Sequence, residues 1–100
     1  MPIAYAWEKL YAGTTTLAAG EGSLRARLED AWLSSVSRLF PDDFPTAELR
    51  ERFEFLQSEI APPGARVHDV LATWSDANVV RLAELVVSLY DSVARRYPAA

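Results

Sequence analysis

The chain contains no cysteine, a single lysine (Lys9) and a single histidine (His68) among its 100 residues. Without cysteine there is no disulfide framework, no thiolate nucleophile and no cysteine-ligated zinc site. One histidine leaves little for nucleophilic or metal-assisted catalysis, which draws on several titratable groups held together. HExxH, GxSxG, phosphate-binding-loop and dinucleotide-binding glycine patterns are also missing. No apolar run approaches the roughly 20 residues that span a bilayer, because Arg81, Glu84 and Asp91 interrupt the longest apolar stretch. Glu8 and Lys9 stand where a signal peptide would place its apolar segment, so a cytoplasmic location without membrane association is expected. Period-two alternation and Asn-Gly or Asp-Gly turn signals are absent as well, which removes the usual marks of β-structure.

What remains is an apolar, helix-patterned chain. Hydrophobic residues make up 50% of it, enough for burial to offset chain entropy. The length suits one domain over residues 1–100, with an expected radius of gyration of about 13 Å. Arginine supplies all the basic residues except Lys9, and with abundant alanine this suggests a bacterial coding sequence of high GC content. The net charge is −4. Residues 1–41 and 60–100 are each balanced, so the whole excess falls in 42–59, where Asp42, Asp43, Glu48, Glu51, Glu54 and Glu59 face only Arg50 and Arg52. Such a field repels phosphate polyanions and attracts a basic partner.

Periodicity places the helices. Ile3, Trp7, Leu10, Thr14 and Leu17 form one stripe from about Pro2 to Ala19, and three weak helix formers, Thr14 to Thr16, invite fraying or bending there. Ser23 caps a second helix expected to reach Phe40, with Leu33, Val36 and Phe40 widening its apolar face and Pro41 closing it. A third helix begins at an Asp43 or a Thr46 cap and carries Leu49, Phe53, Leu56 and Ile60. Pro62, Pro63 and Gly64 stop it, and a short helix over about 65–74 is expected to bury Val67, Val70, Leu71 and Trp74. Ser75 caps the last helix, whose apolar residues from Val79 to Tyr97 spread over roughly 220° at about 100° per residue. A helix so widely apolar needs cover on several sides. The fold predicted is therefore all-α, a compact bundle of four main helices plus one short helix with the last helix central.

The candidate sites follow from what the bundle leaves over. His68 beside Asp69 reads as a surface histidine with a nearby hydrogen bond rather than a general base. Asp42 and Asp43 lack the further oxygen ligands and central glycine of a calcium loop. The chain has no pair of Glu-x-x-His motifs for a helical di-iron centre. The polar ridge of the last helix mixes Glu84 and Asp91 with its arginines, which suits neither base readout nor phosphate contact, so no nucleic-acid partner is expected.

Phe55 is different, since it lies away from the apolar face of its helix with Glu48, Glu51 and Glu59 around it on the helical net. These four residues form the expected binding face for a protein with a basic surface. Leu33 and Phe40, beside the wide arc of the last helix, form the expected homodimer surface. The function read from the sequence is a non-catalytic protein-interaction module, a bacterial accessory, adaptor or inhibitory protein without cofactor or metal. One alternative is a small-molecule or nucleotide binder with an inter-helix pocket built from Trp32, Trp74, His68 and Tyr90. Another is an accessory subunit that contributes residues to an enzyme's shared site.

Overall fold

A proline at the first turn and a Gly20–Gly22 break bound the first helix, α1 (Pro2–Ala19), in the computed structural model, which describes residues 2–97 with the exception of the Pro2 side chain. The ends of the expected 1–100 domain, residue 1 and residues 98–100, lie outside the described residues. The buried line of α1 is Ile3, Ala6, Leu10, Gly13 and Leu17, so the helix is rotated from the expected stripe and Trp7 and Thr14 sit half-buried at its flank. The three threonines do not fray it. The helix continues to Ala19, and Thr16 Oγ1 donates to Ala12 O at 3.1 Å within the regular ladder.

Gly13 explains the rotation. A Cβ at this position would lie 2.8 Å from Val36 Cγ2, so α1 approaches the end of the next helical segment more closely than a side chain permits.

α2 (Leu24–Ser34) starts at Ser23, whose hydroxyl accepts from Ala26 N at 3.1 Å. It ends at Ser34 rather than at Phe40, a correction of the expected span. Serines explain the early stop, because they bond locally and compete with the helical ladder. Ser34 Oγ donates to Asp30 at 2.6 Å, Ser37 Oγ donates to Leu33 O at 3.2 Å, and Ser35 leaves helical geometry at φ −136°. The chain tightens into a 3-10 turn at Val36–Arg38, which still sends Val36 and Leu39 inward.

A second 3-10 turn, Pro41–Asp43, is closed by the Asp43 carboxylate accepting from Phe40 N at 2.8 Å. Asp43 thus serves the turn, and Thr46 caps α3 (Ala47–Ile60) by accepting from Leu49 N at 3.2 Å. Leu49, Phe53, Leu56 and Ile60 are all buried, as their spacing requires. Phe44, in the turn, is buried too and stacks on Phe53 with ring centroids 5.0 Å apart.

α4 (Val67–Ala72) is shorter than expected and buries only Leu71; Val67, Val70 and Trp74 are half-buried against the core. Arg25 ties it down by donating to Leu71 O and, at 2.9 Å, to Asp76 Oδ1. α5 (Asp76–Arg96) begins at Ser75, which accepts from Asn78 N at 3.1 Å.

α5 is the central helix, packed against α1, α2 and α3, with α1 its most extensive partner. Its buried residues, Val79, Leu82, Ala83, Val86, Leu89 and Val93, cover only roughly 120° of the circumference at about 100° per residue. The rest of the wide apolar arc is not enclosed, since Val80 and Val87 are exposed and Leu85 and Tyr90 only half-buried. Among the described residues all the regular structure is helical, with no strand, and the radius of gyration is 12.9 Å.

Candidate functional site: the groove between α3 and α5

The third helix packs on α5 with Leu49, Phe53, Leu56 and Ile60 buried, and that orientation fixes what flanks the contact. Phe55 follows Phe53 by two residues and so projects to the side, 45% exposed, where it would otherwise be surrounded by water. A groove of about 240 Å³ opens beside it, lined by Glu48, Glu51, Arg52, Phe55 and Leu56 of α3 and Leu85 of α5. The floor is apolar and the α3 lip is acidic. Arg52 does not neutralise that lip fully, because its guanidinium is turned across to α5, donating to Ser92 Oγ at 2.7 Å and Ser88 Oγ at 3.0 Å. Its approach to Glu48, at 3.8 Å, is a long exposed pairing of little energetic weight.

Three of the four residues expected at the binding face, Glu48, Glu51 and Phe55, therefore line one groove. Glu59 does not. Its carboxylate pairs with Arg81 of α5 at 3.5 Å. Sequence reasoning missed Leu85, which supplies the opposite wall, and the helix period could have flagged it as the residue between the buried face and the polar ridge.

The remaining candidates are dispersed. Trp32 is buried in the core, its ring 6.2 Å from that of Phe53, and Tyr90 joins Trp7 and Tyr11 on the α1–α5 face. The His68 side chain is 70% exposed, with Nδ1 2.8 Å from Glu29 Oε1, and Trp74 packs on the core. None of these four lines the groove beside Phe55 or the larger groove on the far side of α5. Leu33 and Phe40 remain 51% and 68% exposed, uncovered by α4 or by the turn at 41–43. Among the described residues, no three His, Asp or Glu side chains gather closely enough to hold a metal ion, and no helix is long and apolar enough to cross a membrane.

A larger groove, about 670 Å³, lies on the other flank of α5, bounded by α1 and the first turn of α2. In its α1 wall Thr14 Oγ1 is buried without a hydrogen-bond partner. Comparison with protein-family models, with curated proteins and with solved structures gives no match to this chain, so the case for function rests on these surfaces alone.

Proposed function

We propose that the chain is a non-catalytic interaction module that binds a basic protein surface through the α3–α5 groove. The observation that carries this reading is the convergence of Glu48, Glu51 and a half-exposed Phe55 on one apolar-floored groove. An aromatic anchor beside an acidic lip suits a partner that offers an apolar side chain framed by Arg or Lys. The acids steer and orient that partner, and the Phe55 ring gives it an apolar anchor. The concentration of negative charge in 42–59 works in the same sense over a longer range.

The test is affinity capture of a stoichiometric partner from the source cell, followed by binding kinetics on variants. Phe55→Ala weakens that complex by about 1–2 kcal/mol while the helical circular-dichroism signal stays intact. Glu48→Lys with Glu51→Lys slows association in low salt and changes dissociation little. Unchanged affinity and unchanged association rate in both variants would reduce the acidic lip to a solvated surface and end this reading.

A further inference from the structure

The groove on the far side of α5 has the dimensions and lining of a second, separate docking site. Leu17 and Ala18 of α1, Leu24 of α2, and Val80, Ala83 and Val87 of α5 form its apolar walls. Val80 and Val87 are 44% and 42% exposed, so the groove presents its β-branched side chains to solvent instead of closing over them. Down the open edge of α5 the sequence alternates Val80, Glu84, Val87 and Asp91 at i, i+4, i+7 and i+11, a strip of about 16 Å at 1.5 Å per residue. These three turns of α5, faced by Thr14, Leu17 and Ala18 of α1 and Leu24 of α2, offer one long wall to an incoming helix.

The charge of the lining decides the occupant. Glu84 and Asp91 are the only charged residues in it. Asp91 is held by Arg95 at 2.9 Å, whereas Glu84 has no ion-pair partner among the described residues. A second copy fits poorly here, because a twofold contact centred on the groove sets one acidic lining against the other.

We infer that the α1–α2–α5 groove docks an amphipathic helix whose apolar stripe is flanked by Lys or Arg. This inference does not depend on the Phe55 groove. Leu85 and Val87 stand roughly 160° apart around α5 at about 100° per residue, so the two grooves open on opposite flanks of one helix. They meet at the ridge between them, where Arg52 of the first donates to Ser88 in the lining of the second.

The experiment measures fluorescence anisotropy of a labelled 18-residue helical peptide with leucines at i, i+4, i+7 and i+11 flanked by lysines, against the full chain. A matched peptide with glutamates in place of the lysines is the control. The lysine peptide is expected to saturate at micromolar protein, and the glutamate peptide to bind at least about a hundredfold more weakly. Val80→Ser with Val87→Ser should weaken the lysine peptide at least about tenfold, Glu84→Lys should weaken it by a similar factor, and Phe55→Ala should leave it unchanged. The valine positions are partly exposed, and circular dichroism confirms that each variant is folded; Glu84→Lys, at an exposed position, carries the test if the valine pair is not. Four results overturn the inference: no saturable binding up to about 100 µM, equal binding of the glutamate peptide, loss of binding on Phe55→Ala with none in the groove variants, or a dimer of the unliganded chain that Val80→Ser with Val87→Ser converts to monomer.

Discussion

At Gly13 a single hydrogen occupies the space where any side chain would meet Val36. Alanine is the better helix former by about 1 kcal/mol, yet here the added methyl would sit 2.8 Å from a β-branched, fully buried neighbour. Overpacking prevails, and Gly13→Ala is expected to destabilise the fold by about 1–2 kcal/mol in urea denaturation. In a Val36→Ala background the same change becomes neutral or stabilising, and that sign reversal in a double-mutant cycle checks the mechanism. His68 gives the opposite case. With its side chain 70% exposed and one contact to Glu29, His68→Ala should shift stability by no more than about 0.5 kcal/mol. Residues of this kind differ in how well the sequence announces them. Ser23 and Ser75 are legible as caps because the capping bond is local. Arg27 is not: it lies on the polar side of α2, but its guanidinium donates to Leu17 O at 2.9 Å and Gly22 O at 2.5 Å, finishing the end of α1 from another helix.

For the elements, periodicity located the four long helices and the α3 stripe, because a 3.6-residue pattern is a property of contiguous chain. It overran the end of α2, since Val36 and Leu39 stay in phase with Trp32 whether the backbone continues as an α-helix or tightens into a 3-10 turn. The α3–α5 groove was half legible for the same reason. Glu48, Glu51 and Phe55 share a helix, while Leu85 and the diversion of Arg52 to Ser88 and Ser92 depend on a neighbour that spacing does not reveal. α4 shows how weakly a short element can be held. Leu71 is its one fully buried side chain, with Val67 and Val70 half-buried against the core, His68 bonded to Glu29, and Arg25 joining the Leu71 carbonyl to the start of α5. Arg25→Ala should therefore raise the amide exchange rates of α4 by about tenfold while those in the middle of α1 and α5 change little. Uniform acceleration along the chain would mean that α4 opens only with the whole fold.

Across the whole molecule, exposed apolar surface falls into separate patches: Phe55 beside the α3–α5 groove, Val80 and Val87 in the groove beside α1, and Leu33 and Phe40 at and beyond the end of α2. The groove linings are acidic, so a self-contact is better placed on these two uncharged side chains. Light scattering at tens of micromolar is expected to give about 22 kDa for the wild-type chain of 11.1 kDa, and Leu33→Ser with Phe40→Ser should return it to the monomer mass. A wild-type mass of about 11 kDa under those conditions would rule the contact out. The pairing of α1 with α5 also has a consequence for biosynthesis. α1 ends at Ala19 and α5, on which it packs, begins at Asp76, while ribosomes add about 5–20 residues per second. For several seconds after α1 is made α5 is still missing, and the part of the chain that can cover its apolar face in that window is α2, the next helix to be made and its other main partner.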